Sequence, residues 1–356
     1  MKHDYDIVIA GGGLAGLTLA CALAPTGARM AVIEASPQQA DRPPSFDDRA
    51  IALAHGSRLI FEGIGLWDAI APCATPIRKI HVSERGRFGF THLDASEERV
   101  PALGYVAPAR DLGKALMARF DATGITQLRP ARLIDFDTEE EGITLSVDSA
   151  GDEQKITTRL LVAADGGQSQ IRDRLGIKVR RWDYGHTAIV SNLVPGKPHD
   201  NIAYERFTPD GPLALLPMTD NRFGVVLTVP TAEHEEILAL GDSDFLGLLQ
   251  ERFGYRCGRF QRVGSRSAYP LSLITAKESV RQRVALLGNA AHTLHPISGQ
   301  GFNLGLRDVA VLVDVIADAL KTGEDPGEEK ILRAYATARQ SDQRNMALVT
   351  DGLARL

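Results

Sequence analysis

Asp6-Ile7-Val8-Ile9-Ala10-Gly11-Gly12-Gly13-Leu14-Ala15-Gly16 opens the chain with a short apolar run that passes straight into glycines. The run reads as a buried strand, and Leu14 to Leu23 reads as the helix that follows it. Met30-Ala31-Val32-Ile33 reads as a second strand, and it ends at an acid, Glu34. Gly11, Gly13 and Gly16 match G-x-G-x-x-G between a strand and a helix, with the acid eighteen residues beyond Gly16. Each residue has a separate task in that pattern. Gly11 permits the tight turn, Gly13 lets the backbone approach a pyrophosphate, and Gly16 lets helix and strand pack closely. Leu14 and Ala15 begin the helix whose free N–H groups attract the phosphates. Glu34 can accept hydrogen bonds from ribose hydroxyls.

The motif alone does not separate FAD from NAD. It lies at the N-terminus, however, and no second G-x-G-x-x-G with this context follows. A flavoenzyme with a separate nicotinamide domain would show two. A disulfide reductase would add a redox cysteine pair. Cys21, Cys73 and Cys257 are far apart and form no C-x-x-C, which excludes that pair, a disulfide framework and a thiolate metal site, and fits a reducing cytosol.

The other decisive stretch lies near the end. Arg283-Val284-Ala285-Leu286-Leu287 reads as a strand ending at Gly288, a loop with Pro296, Gly299 and Gly301 follows, and Phe302 to Leu320 reads as a helix. A glycine-rich turn again feeds a helix N-terminus, which favours negative charge by about 0.3–1 kcal/mol when exposed. A reduced flavin carries such a charge on its pyrimidine edge. Between the two stretches, Ile143 to Val147 and Ile156 to Ala163 read as strands, and Ser57 to Ile70 as a helix. From Trp182 to Ala276 short alternating runs take over: Thr187 to Leu193, Ala203 to Phe207, Leu213 to Pro217 and Phe223 to Val229. They read as antiparallel sheet, with helical patterning inserted from Glu233 to Phe253.

The chain has 356 residues, 44% of them hydrophobic, which suffices for two domains with a sizeable core. A net charge of −5 gives no basic face for nucleic acid. Leu14 to Ala24 is apolar, but Asp4 and Asp6 stand where a signal peptide needs basic residues, so a mature N-terminus is expected. No apolar run is long enough to span a membrane. Arg78, Lys79, Arg85 and Arg87 between Ile77 and Phe90 could meet anionic lipid or a partner protein; Glu84 and the acidic run Asp94 to Glu98 equally suit a solvated hairpin. His292 and His295 have no third ligand in the sequence pattern, so no metal site is expected. Leu213, Leu215 and Pro217 share one strand face and could wall a ring site or be ordinary sheet core.

The Gly288-Asn289-Ala290-Ala291-His292…His295-Pro296-Ile297-Ser298-Gly299-Gln300-Gly301-Phe302-Asn303-Leu304-Gly305…Asp308 run resembles the second FAD signature of flavin aromatic hydroxylases, in particular the ubiquinone-biosynthesis hydroxylases. Asp47-Asp48-Arg49-Ala50-Ile51-Ala52-Leu53 and Asp165-Gly166 with Ser169 and Arg172 resemble two further family motifs. His81 to Gly86, Glu205-Arg206-Phe207…Gly211 to Met218 and Arg266 to Leu271 are similar to the 2-octaprenyl-6-methoxyphenol hydroxylase branch. The resemblance covers nearly the whole chain. It implies an α/β fold: a Rossmann-like FAD-binding domain, discontinuous over 1–72, 98–178 and 278–356, with an inserted antiparallel-sheet substrate domain at 73–97 and 179–277, as in p-hydroxybenzoate hydroxylase.

The resemblance also implies a single-component monooxygenase in which FAD takes electrons from NAD(P)H and activates O2 to hydroxylate a prenylated phenol. Arg49 would steady FAD or admit the nicotinamide, unless it merely pairs with Asp47 or Asp48. Arg110 would reach the FAD phosphates or ribityl chain. Asp165 and Gly166 would meet the ribityl chain, as would Asn289, which stands where the wider family has Asp. Gly299, Gln300, Gly301 and Asn303 would surround the flavin, and Pro296 would shape the wall near its reactive carbon. His295 and Pro296 are the weak candidates for a catalytic role. A cytoplasmic protein is expected, peripheral to the inner membrane, in contact with membrane or with other ubiquinone-biosynthesis proteins. Family members run further past the position of Leu356, so loosely held FAD is expected. A prenyl-lipid flavin reductase of the same fold and a non-catalytic FAD-bound subunit are the alternative readings.

Overall fold

The computed structural model describes residues 3–37 and 49–354; Asp47 and Asp48 lie outside the described residues. Five parallel strands carry the first sheet: Tyr5–Ala10, Met30–Ile33, Thr126–Leu128, Asp152–Ala163 and Val284–Leu286. Numbered in chain order, they lie side by side as 3-2-1-4-5. The order reverses between Tyr5–Ala10 and Asp152–Ala163. Connections leave in opposite directions there and open a crevice at the strands' carboxyl ends. Ala10 pairs with Ala163, so both strands reach that crevice together.

Alternation along the first strand explains why the sheet is covered twice. Ile7 and Ile9 face helices Leu14–Leu23, Ala109–Asp121 and Gln300–Thr322, through Leu17, Leu116, Leu306 and Ile316. Val8 and Ala10 face the antiparallel strands Arg132–Thr138 and Ile143–Ser149, through Phe136, Leu145 and Val147. A strand buried on both faces must be apolar at every position, as this one is over Ile7 to Ala10.

The second sheet has nine strands. Its path runs His292–Thr293, Ser267–Ala276, Val179–Val194, Arg222–Pro230, Leu213–Met218, Ile202–Phe207, Lys79–Glu84 and Phe90–Asp94, with Arg262–Val263 beside Val179–Val194. Pairing is antiparallel except between Ile202–Phe207 and Lys79–Glu84. Helix Asp242–Phe253 covers one face, packing Phe245, Leu249 and Phe253 on Leu213, Leu215 and Phe223. The opposite face meets a small third sheet of Ala50–Ala54, Gly104–Pro108 and Thr75–Ile77. There Ala203, Leu216 and Met218 pack on Ala50, Ile77 and Val106. Gly224 admits that contact, since a Cβ on it would lie 2.3 Å from the Cβ of Ala50.

Three expectations change. The single helix over Ser57 to Ile70 is two, His55–Gly63 and Trp67–Ile70, because Gly65 between them takes φ +70°. Thr75–Ile77, expected with the inserted domain, pairs instead with Gly104–Pro108. His292–Thr293, expected with the nucleotide-binding domain, pairs with Ser267–Ala276 of the second sheet. Among the described residues no helix is long and apolar enough to cross a membrane.

Candidate functional site

The site grows from the first strand's carboxyl end. Gly11 turns with φ +113°, and its N–H donates to the Ile33 carbonyl at 2.8 Å. A Cβ there would stand 2.2 Å from the Ala164 carbonyl oxygen. A Cβ on Gly16 would stand 2.0 Å from the Gly11 carbonyl oxygen, so helix Leu14–Leu23 sits against the turn only because Gly16 has none. Gly13, by contrast, faces open space: nothing lies within 4 Å of where its Cβ would be. That is the surface a pyrophosphate needs, directly before the helix N-terminus and beside the half-buried Leu14 and Ala15.

Glu34 accepts the Gly12 N–H at 2.7 Å on one carboxylate oxygen and the Ser36 N–H at 2.8 Å on the other. Each oxygen keeps a lone pair for a ribose hydroxyl. Across the crevice, Asp165 follows strand Asp152–Ala163. Its Oδ2 accepts the Ile171 N–H at 3.3 Å, while its Oδ1 is buried with no donor among the described residues. Burial pushes the Asp165 carboxyl up from its ordinary value, against the hydrogen bonds from Ser169 and nearby backbone. An orphaned buried acceptor beside an open glycine is what a cofactor hydroxyl would satisfy. Gly166 continues the turn at φ +88°.

The late loop reaches the same crevice. Gly288 takes φ +58°, and a Cβ on it would be 3.5 Å from the Cβ of Ala15. The opening glycine turn and the late one are therefore in contact. Gly305, one turn into helix Gln300–Thr322, also comes within 3.4 Å of the Gly288 Cα measured from where its Cβ would be. Asn289 is exposed, Pro296 is half-buried, and Gly299 takes φ +64° at the N-cap of the helix, which starts at Gln300. Gly301 has open space where a side chain would be. Small residues and the N-termini of two helices thus border both ends of one crevice.

Arg49 and Arg110 lie on adjoining segments, since the Ala109 N–H donates to the Arg49 carbonyl at 2.9 Å. The Arg49 guanidinium lies 4.8 Å from the Tyr269 ring centroid, tying the start of strand Ala50–Ala54 to the nine-stranded sheet. The expected pairing with Asp47 or Asp48 lies outside the described residues. Arg110 is partly exposed, in the first turn of helix Ala109–Asp121, with its Nε 3.6 Å from Asp111.

Several expected roles change once side chains are placed. Asn303 is 2% exposed and its amide is saturated. Its Nδ2 donates to the Ala52 and Gly299 carbonyls at 2.8 and 2.7 Å, and its Oδ1 accepts from the Ala54 N–H and the Ser57 hydroxyl at 2.8 and 2.6 Å. An amide has no fifth bond to give, so Asn303 holds the late loop to strand Ala50–Ala54 and has no bond left for a cofactor. Leu213 and Leu215 are fully buried under helix Asp242–Phe253, and Pro217 shares their side of the strand. They are sheet core, not ring wall. The other parity of that strand, Ala214 and Leu216, points to the side on which the small sheet packs.

His295 is buried, its Nδ1 accepts the Ile297 N–H at 3.1 Å, and its ring meets Tyr184 edge-on at 5.0 Å. Burial, with His186 nearby, pushes its pKa down to about 4, so it is a neutral loop-shaping residue. Two residues that stand inside the quoted motifs, but to which the sequence assigned no role, hold the site together. Arg172, 1% exposed, donates from Nη1 to the Gly167 and Ala290 carbonyls, both at 3.1 Å, and so stitches the Asp165 turn to the late loop. Asp308 is fully buried and binds His292, Arg339 at 2.7 Å and Gln343 at 2.9 Å, clamping helix Glu329–Ala354 to the loop. A basic residue thirty-one positions from its acid leaves no local pattern to read.

Residues 4–349 match the family model described as FAD binding domain. The chain is 39% identical to ubiquinone hydroxylase UbiL of Rhodospirillum rubrum over 352 residues, 99% of this chain and 81% of that protein. It is 32% identical to the 3-demethoxyubiquinol 3-hydroxylase of Escherichia coli over 346 residues, 96% of this chain and 87% of that one. Among solved structures, Pseudomonas aeruginosa PqsL in complex with 2-aminobenzoylacetate superposes with a TM-score of 0.84 at 22% identity, covering 99% and 96% of the two chains. At that identity the likeness speaks for the fold.

Proposed function

The chain belongs to the FAD-binding domain family, alongside the ubiquinone hydroxylases, and on that premise we propose that it hydroxylates a polyprenylated phenol on the path to ubiquinone. It is an FAD-dependent monooxygenase, with NAD(P)H as the family's electron donor. The contact between Ala15 and Gly288 is the observation that carries the reading, because it brings a pyrophosphate cradle and a flavin loop to one crevice.

When bound, FAD supplies the electron transfer from NAD(P)H and the activation of O2. The chain's own residues do the rest. Gly13, Leu14 and Ala15 would hold the pyrophosphate by backbone, and Glu34 the adenosine ribose. Asp165 would take a ribityl hydroxyl on its orphaned oxygen, with Gly166 and Asn289 beside it. The first N–H groups of helix Gln300–Thr322, at Gln300 and Gly301, would favour the anionic ring edge, and Gly299 and Pro296 would border the ring. Arg49 and Arg110 would serve the rim, toward phosphate or nicotinamide. The substrate ring would lie between this loop and the Ala214 face of the nine-stranded sheet. On that reading residues 1–72, 98–178 and 278–356 form the cofactor domain, and 73–97 and 179–277 the substrate domain, with strands Thr75–Ile77 and His292–Thr293 each pairing across that boundary. A prenyl lipid must be collected from a membrane surface or a partner protein, which supports a cytoplasmic chain working at the inner membrane's edge.

The test is turnover by the FAD-loaded chain with a prenylphenol. We expect NAD(P)H oxidation stimulated by the phenol, matching oxygen uptake, and a product heavier by one oxygen atom. NAD(P)H consumption with a saturated product and no oxygen uptake would identify a reductase instead. FAD binding without any consumption would identify a non-catalytic subunit.

A further inference from the structure

One acid stands apart in the second sheet. Glu205 lies on strand Ile202–Phe207, paired with Val82 on one side and Ala214 on the other. Residues paired across a sheet share a face, and alternate residues along a strand share one too. Ala203, two positions away, packs on Ala50, Ile77 and Val106 of the small sheet. Glu205 therefore points the same way, to the side of the sheet on which the small sheet packs, while Tyr204 points to Phe223 and Phe253 beneath helix Asp242–Phe253.

The row around Glu205 can be followed across the sheet. It runs Val82, Glu205, Ala214, Val226 and Val190. All five are half-buried, unlike the sealed core on the opposite face. One neighbouring row packs on Ala50 through Leu216 and Gly224; the other contains Tyr269, under the Arg49 guanidinium. The row is a small apolar floor between two points where the cofactor-side chain touches the sheet. Glu205 is its one ionisable side chain, and no hydrogen bond or ion pair joins that carboxyl to another described residue.

A carboxylate drawn partly out of water without a partner is costly, so a fold retains one for an occupant that is absent when the site is empty. We propose that the Glu205 carboxylate accepts the hydrogen bond, and then the proton, of the substrate's phenolic hydroxyl. This rests on the phenol hydroxylase reading above. The step balances simply. The phenol O–H bond breaks, its electron pair stays on the substrate oxygen, and the carboxylate becomes a carboxylic acid. The ring gains electron density at the positions ortho and para to that oxygen, which is where an electrophilic oxygen attacks. The apolar floor suits an aromatic ring and the first units of a prenyl tail.

Burial alone pushes the Glu205 pKa up to about 7, closer to a phenol's than an ordinary carboxylate's, which makes the transfer less uphill. The charged or titratable groups on the same face are Glu84 on Lys79–Glu84, His186 on Val179–Val194, Arg222 on Arg222–Pro230, Arg262 on Arg262–Val263, Tyr269 on Ser267–Ala276, and Arg49 from the cofactor side; Phe90–Asp94 and Leu213–Met218 bring none. None of them contributes to the shift.

The experiment compares FAD-loaded wild type, Glu205→Gln and Glu205→Asp on a short-chain prenylphenol and its methyl ether. Thermal midpoint and flavin content establish that each variant is folded and loaded. We expect Glu205→Gln to lower kcat/KM for hydroxylation about 100-fold, with Glu205→Asp between. Wild-type kcat/KM should rise with pH through about 7, and that limb should vanish in Glu205→Gln. Binding, followed by perturbation of the flavin spectrum, should favour the phenol over the ether about tenfold in wild type and not in Glu205→Gln. If wild type hydroxylates prenylphenols and the variant keeps its rate, pH limb and preference, the role of Glu205 is overturned while the hydroxylase reading stands. If wild type neither binds nor hydroxylates any prenylphenol, both fall.

Discussion

Asn303 and Gly16 show how single residues divide the work of this site. Gly16 acts by absence: any Cβ would meet the Gly11 carbonyl oxygen at 2.0 Å. Asn303 acts by saturation, spending four hydrogen bonds to join the flavin loop, strand Ala50–Ala54 and the hydroxyl of Ser57. Asn303→Ala removes all four and leaves buried backbone groups unpaired. We expect it to cost about 3 kcal/mol in urea unfolding, since each abandoned buried group costs about 1–3 before water compensates. FAD affinity should fall as well, because Gly299 loses its tether. An unchanged unfolding midpoint would return Asn303 to the role of a direct cofactor ligand. The glycine could be read from sequence because its spacing is local. The asparagine's type and place were also legible, but its direction was not, since a side chain one turn into a helix can point at a ligand or at a strand 250 residues earlier.

At the scale of elements, the late loop is held from three sides: Arg172 pins it to the Asp165 turn, His292–Thr293 pairs with the nine-stranded sheet, and Asp308 clamps it to helix Glu329–Ala354. Burial pushes the Asp308 carboxyl up, but His292, Arg339 and Gln343 outweigh it and hold it below its ordinary 3.8. A depressed carboxyl contributes stability that is fully present above pH 3.8 and is withdrawn as pH falls through its folded value. Asp308→Asn leaves Arg339 buried with less counter-charge, and should cost about 3 kcal/mol at pH 7. The gap between wild type and variant, measured by urea unfolding, should hold from pH 7 to about 4 and narrow below that. A gap that widens on acidification would mean the carboxylate is not the group that matters. Strand parity is the other lesson at this scale. Leu213, Leu215 and Pro217 were legible as one face of one strand, yet which face meets the flavin domain depends on helix Asp242–Phe253 taking the other side.

At the scale of the whole molecule, the cofactor crevice lies where two sheets and a connecting loop converge, so occupancy should stabilise the molecule as one unit. FAD at 100 times its Kd should add about 2.7 kcal/mol by mass action and raise a single thermal transition. Two transitions, with only one moved by FAD, would mean the nine-stranded sheet unfolds independently of the crevice. What the sequence alone determined was the local chemistry: a strand, three spaced glycines, a helix and an acid for the cradle, and a second glycine turn ahead of a long helix. Those depend on neighbours a few residues apart, where backbone sterics leave few choices. Only the tertiary structure decided which faces look at each other. It set Ala15 against Gly288, turned Glu205 to the small-sheet side and Leu215 to the helix side of one sheet, and paired Asp308 with Arg339. Such choices are made by the packing of whole layers, whose energies are sums over contacts between segments far apart in the chain.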